Sequence, residues 1–149
     1  TQAVVNANYL QAKLRDILPP AFGDICMHEF VVSLDPLKRE TGISAKEFSK
    51  ALQDFGLHPP TMYFPLNVPE ALMIEPTETE SKERLDYVAD VFRFLYDLAH
   101  EDPEYFADAP YSLSVSQPDE TQAARHLKLR FDFDELEEGE EEGKGQEDA

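Results

Sequence analysis

Histidines, a lone cysteine and carboxylates beside prolines are the side chains here that could do chemistry. His28, His58, His100 and His126 lack a ligand spacing such as His-Glu-x-x-His, so no zinc-type centre is predicted. His28 and Glu29 are adjacent, and in a strand their side chains point to opposite faces. Alone, His28 reads more readily as a satisfied core histidine. Cys26 is the single cysteine, which excludes an internal disulfide and any multi-cysteine zinc site. It has no assigned base and reads as structural, because free cysteine is among the most buried residue types. No Gly-x-Ser-x-Gly turn is present, and the six glycines form no phosphate-cradling loop. The most suggestive run is His58-Pro59-Pro60-Thr61-Met62-Tyr63-Phe64-Pro65. Its prolines stiffen a segment that exposes His, Thr and Tyr, a way of presenting polar groups to a ligand. A rigid connector is the equal alternative. Glu75-Pro76-Thr77-Glu78 is explained as a strand end followed by a helix cap.

The elements that would carry these residues follow from apolar spacing. Ala3, Val4, Ala7, Leu10, Leu14, Ile17 and Leu18 recur at intervals of three and four, which predicts a helix ended by Pro19-Pro20. Thr1 reads as a cut end of this helix. Residues 25–34 are apolar at both odd and even positions, as in a strand covered on both faces. Ser44 and Glu47 fit a capping box, with Phe48, Ala51, Leu52 and Phe55 as the buried stripe and Gly56 as a left-handed stop. Two short strands are predicted at 61–64 and 71–76. Thr77 and Glu80 suggest a second capping box opening a helix to about Ala99. One stripe of that helix is Leu85, Val88, Phe92, Leu95 and Ala99, and a second is Tyr87, Val91, Phe94 and Leu98. So wide an apolar surface implies contact with its own sheet and another body of protein, or a helix sandwiched within one domain. Asp102-Pro103 suggests a short helical turn through Phe106, and 109–131 shows little periodicity. The pattern is α+β: helices packed on a mostly antiparallel three-stranded sheet.

Charge narrows the partners. The 149 residues carry 13 Lys+Arg against 31 Asp+Glu, a net charge of −18. Ten of those acids and only Lys144 fall in 132–149, so the tail and residues 1–131 carry −9 each. Phosphate binding requires Lys/Arg clusters, so nucleic acid is excluded as a partner, and an anionic membrane surface on the same ground. No apolar run approaches the ~20 residues of a spanning helix. These features predict a soluble, cytoplasmic domain over 1–131 and an acidic disordered tail over 132–149, because a Glu/Gly run buries too little to order itself.

Thr41-Gly42-Ile43, Gly56-Leu57-His58-Pro59-Pro60-Thr61-Met62-Tyr63-Phe64-Pro65 and Leu72-Met73-Ile74-Glu75-Pro76-Thr77-Glu78-Thr79-Glu80-Ser81-Lys82 closely resemble the C-terminal region of the glycine-cleavage P-protein family. Ala3 through Leu10 and His28-Glu29-Phe30-Val31 resemble the start of that region. Ala109-Pro110, Asp119-Glu120 and Ala123 through Phe131 resemble the end of its split, two-subunit form. Pro59 stands where the family usually has Ala, Tyr63 where it has Ser, and Tyr111 where it has His. The Glu/Gly tail is foreign to the pattern.

The resemblance implies the small C-terminal domain of a fold-type-I enzyme that uses pyridoxal 5'-phosphate as electron sink. The implied reaction is glycine decarboxylation with transfer of the aminomethyl group to the lipoyl arm of the H-protein. The family's cofactor lysine follows a histidine in the large domain. None of Lys13, Lys38, Lys46, Lys50, Lys82, Lys128 and Lys144 stands in that context, so no cofactor is expected on this chain alone. Its implied partners are the large cofactor-binding domain of the same subunit, an N-terminal-type subunit and lipoylated H-protein. His28, His58, Thr61 and Glu75 are the substrate-proximal candidates, as lid or wall contacts. A non-catalytic interaction or scaffold domain derived from such an enzyme is the alternative. A different fold-type-I decarboxylase is argued against by the Glu-Pro-Thr-Glu-Thr-Glu run.

Overall fold

The computed structural model describes residues 1–130, so the expected tail at 132–149 lies outside the described residues. The spaced apolar stripe at the start forms helix α1 (Gln2–Leu14), which buries Ala7, Leu10 and Leu14. The helix ends four residues earlier than the stripe. The Ile17 and Leu18 amides still donate to the Leu14 carbonyl, at 3.1 and 2.8 Å, in a closing turn that buries Leu18 ahead of the two prolines.

Three strands, β1 (Phe30–Ser33), β2 (Thr61–Met62) and β3 (Ala71–Ile74), form one antiparallel sheet in the order β1-β3-β2. The α+β class and the helix-covered three-stranded sheet expected from sequence are the observed ones. Phe30 pairs with Ile74 and Val32 with Leu72, and all four are buried in the core. The alternate row Val31, Met73 and Thr61 lies across the other face.

The first strand is shorter than its apolar run. Residues 25–29 are irregular, and Ile25 and Met27 are 85% and 70% exposed rather than covered. Continuing the β1–β3 register would set His28 against Pro76, which has no N–H to give the ladder. The backbone groups of Cys26 go instead to Asn8 on α1: its amide accepts from Cys26 N at 3.1 Å and donates to Cys26 O at 2.7 Å.

Helix α2 (Asp35–Thr41) has no counterpart in the apolar spacing; Pro36 sits in its first turn and Gly42, at φ 88°, ends it. Helix α3 (Ala45–Asp54) has the expected reciprocal capping box between Ser44 and Glu47, and Gly56 turns the chain at φ 65°. Helix α4 (Lys82–Glu101) begins later than Thr77 suggests, capped by Ser81, whose hydroxyl accepts from Arg84 N at 3.1 Å. The Thr77 and Glu80 carbonyls are already taken by the Asn6 amide, and the Thr77 hydroxyl bonds that of Thr79 at 2.7 Å. That segment is therefore a side-chain-held turn. Asp102 closes α4 through its amide rather than opening the next helix, and α5 (Tyr105–Asp108) follows.

Helix α4 packs against α1, α2 and α3. Its first stripe is the core stripe: Leu85, Phe92, Leu95 and Ala99 are buried and Val88 packs against them. The second is split, with Val91 buried but Tyr87 and Phe94 exposed at 40% and 51%. Phe48 anchors the centre, 5.6 Å from the Phe92 ring and 6.3 Å from that of Phe106. Offset aromatic pairs of this kind add about 0.5–1.5 kcal/mol to their area burial. A second unit begins at Pro118 and carries α6 (Glu120–Arg125), another helix that the weak periodicity conceals. Among the described residues no helix is long and apolar enough to cross a membrane.

Candidate functional site

Gly56 reverses the chain after α3, so Leu57 drops back into the core and His58-Pro59-Pro60 runs extended into β2. Beside it, β3 ends at Ile74 and passes through Glu75-Pro76 to the turn before α4. Between these two segments lies a cleft of about 550 Å³. Its apolar lining is Leu10, Leu52, Leu57, Ile74, Leu85 and Phe92, and its polar groups are His58, Thr61, Glu75, Thr77, Glu80 and Arg84. The volume falls in the range of small-molecule pockets, and so does the apolar lining with a few polar groups.

The structure brings three of the four sequence candidates together here: His58, Thr61 and Glu75 all line the cleft and are exposed. His28 lies outside it. Its imidazole is exposed, 3.9 Å from the Glu29 carboxylate, so it is neither a core histidine nor on the opposite face from its neighbour. Cys26 is half-buried and packs on the core; burial pushes its thiol up, which disfavours the nucleophilic thiolate. Among the described residues no cluster of His, Cys, Asp or Glu could hold a metal ion.

The walls are held by residues that a search for catalytic types passes over. The Asn6 amide, 3% exposed, donates to Thr77 O at 2.8 Å and Glu80 O at 3.2 Å, fixing the rim turn to α1. On the opposite wall, Arg84 donates to Gly56 O and the Tyr87 hydroxyl to Phe55 O, both at 2.9 Å. These satisfy carbonyls left free at the end of α3, where a cation also complements the helix dipole. Behind the rim, Asp86 accepts from Tyr9 at 2.6 Å and from Lys13 and Lys82 at 2.7 Å each. The Lys13 and Lys82 ammoniums hold its carboxyl far below the usual carboxylate range. The available signal was the Asn6-Ala7-Asn8 pair inside a helix, where Asn is a poor former unless its side chain is spent elsewhere.

The cleft thus sets hydroxyl, imidazole and carboxylate groups beside an apolar floor. An α+β domain of this kind, with a rigid proline-walled cleft, is what the geometry defines. A family model described as glycine dehydrogenase, C-terminal domain, matches residues 1–102, and the chain belongs to that family. Curated relatives named "Probable glycine dehydrogenase (decarboxylating) subunit 2" share 54% identity over 129 residues in Treponema denticola, 46% over 129 in Kosmotoga olearia and 47% over 129 in Thermotoga maritima. In each case the match covers 87% of this chain and 27% of the relative. The chain spans about a quarter of the length of these curated relatives.

Proposed function

We propose that this chain is the C-terminal domain of a glycine dehydrogenase (decarboxylating), and that its cleft walls the site where glycine loses carbon dioxide and its aminomethyl group passes to the lipoyl arm of H-protein. The observation that supports this is the meeting of two family-like runs, 56–65 and 72–82, at one cleft. Within it the Thr61 hydroxyl, His58 and Glu75 contact the substrate side, and the apolar floor excludes water, which strengthens every polar contact made there. Pro59 and Pro60 fix the backbone that presents Thr61.

The residues present do not fit a pyridoxal phosphate site. No lysine lines the cleft, and Arg84, its cation, is engaged by the Gly56 carbonyl. The cofactor belongs to the part of the enzyme that this chain does not span, and this domain's share in the reaction is contact and water exclusion. That other part, an N-terminal-type subunit and lipoylated H-protein are the partners this reading requires, in the cytoplasm.

The test is Thr61→Val in the complete enzyme, which keeps the β-branched shape and removes the hydroxyl. Loss of one hydrogen bond to a bound, water-excluded group costs about 1–3 kcal/mol, or roughly 5- to 150-fold in rate. Glycine decarboxylation with H-protein should fall by that factor while the melting curve is unchanged. Unchanged turnover would reduce the segment to a rigid connector.

A further inference from the structure

Between Asp54 and Glu70 the chain contains no Asp, Glu, Lys or Arg, although such residues make up 30% of the whole. The tip of this stretch is exposed: Met62 by 36%, Tyr63 by 43%, Phe64 by 52% and Leu66 by 90%. Against a net charge of −18 a charge-free stretch of this kind is uncommon in the chain, another being 109–118 with its exposed Tyr111, Leu113 and Val115. Depletion of charge with enrichment of aromatics and Met is the compositional mark of the centre of a protein interface.

The tip is also held in place. Tyr63 sits at φ 58°, a conformation unfavourable for a bulky residue, and Glu70 at φ 48°. Tyr63 N donates to Ala71 O at 2.8 Å, and Val68 N to Pro65 O at 3.1 Å. At its base the half-buried Glu70 carboxylate accepts from Ala45 N at 2.8 Å and pairs with Lys38, and the Ser33 hydroxyl donates to Pro69 O at 2.6 Å. A segment ordered before binding loses little entropy on binding. Backbone strain kept in a surface segment, at about 1–3 kcal/mol per residue, points to function.

We infer that Met62, Tyr63, Phe64 and Leu66 form a docking tip covered, in the full-length protein, by an uncharged apolar surface of the portion that this chain does not span. The occupant follows from two observations. The match covers 27% of relatives that carry the remaining length in the same chain, and the tip has no charge to offer a charged partner, whose groups would be desolvated without a counter-ion. The tip is continuous with Thr61, so docking sets the position of the cleft wall. The inference rests on the proposed function only in taking the chain as one domain of that longer protein.

Hydroxyl-radical footprinting of the full-length subunit tests it without reference to activity. Phe64 and Leu66 should label at least about tenfold more slowly than in the urea-unfolded subunit, like the buried Phe48 and Phe106. Leu66→Asp should restore labelling at Met62 and Phe64 while Phe48 and Phe106 stay protected, which shows that the domain remains folded. Labelling of the wild-type tip at near its unfolded rate overturns the inference. So does protection that appears only on adding a partner subunit or H-protein, or only as concentration rises, the mark of a second copy. Normal protection beside an inactive Thr61→Val, or the reverse, separates this inference from the function proposed above.

Discussion

At the scale of single residues, buried polar side chains decide the shape of the cleft more than the candidate contacts do. Asn6 bridges α1 to the rim through two carbonyls. Asn6→Ala removes both bonds and should lower stability by about 1–2 kcal/mol, since water reaches the rim and repairs part of the loss. Urea titration reads the stability, and hydrogen exchange should quicken at 77–82 but not within α3. An unchanged urea midpoint would mean that the rim turn holds itself. The place of His58 and Thr61 at the cleft is legible in sequence because prolines stiffen their run, whereas Glu75 reads there only as a strand end and meets them through the β2–β3 pairing. Asn6 and Asn8 are not legible, because a helical asparagine shows its value only when the carbonyls it meets, 71 and 18 residues away, are in place. His28 misleads because its apolar neighbours suggest a strand, whereas the partner needed to extend it is a proline.

Among the elements, the α2–α4 contact has a built-in pH response. His100, in the last turn of α4, has Nε2 3.1 Å from a Glu40 carboxylate oxygen on α2 and Nδ1 2.9 Å from the Tyr96 carbonyl. The Glu40 hydrogen bond raises its pKa above the ordinary value, with the Tyr96 carbonyl and the Asp97 charge acting in the same sense. A group bound more tightly to its proton when folded stabilises the fold fully below the unfolded pKa of about 6.5, and loses that contribution as pH rises through the folded value. Stability should therefore fall modestly as pH rises above about 6.5. His100→Gln should flatten that part of the profile; an identical slope in the variant would assign it elsewhere. A second ionisable contact, the Tyr105 hydroxyl 3.2 Å from Asp54, is silent in this range because burial, then the Asp54 charge, pushes it up to about 12. Capping residues make α3 legible to the residue, since Ser44 and Glu47 act locally. The start of α4 is displaced because Thr77 and Glu80 satisfy the same local pattern while long-range bonds to Asn6 claim the backbone. Helix α2 escapes notice because a seven-residue helix shows a single fully buried position, Leu37, and so no periodicity.

For the molecule as a whole, charge is the property with the widest reach. The chain carries −18, half of it in 132–149. Like charges destabilise a compact state through self-repulsion, and salt relieves this as the screening length falls from ~30 Å at 0.01 M to ~10 Å at 0.1 M. The melting temperature should therefore rise with sodium chloride over that range. Phe133 and Leu136 are the only large apolar residues in 132–149, so deleting that stretch removes charge and few apolar side chains. At about 0.2 M salt the deletion should alter stability by no more than ~0.5 kcal/mol, as for other surface changes. At low salt the shortened chain should be the more stable of the two, with a shallower salt slope. Thermal melts of both chains across the salt series provide the check. A large loss at high salt would mean that the stretch packs on the folded part, and an unchanged slope would place the repulsion among residues 1–131 instead.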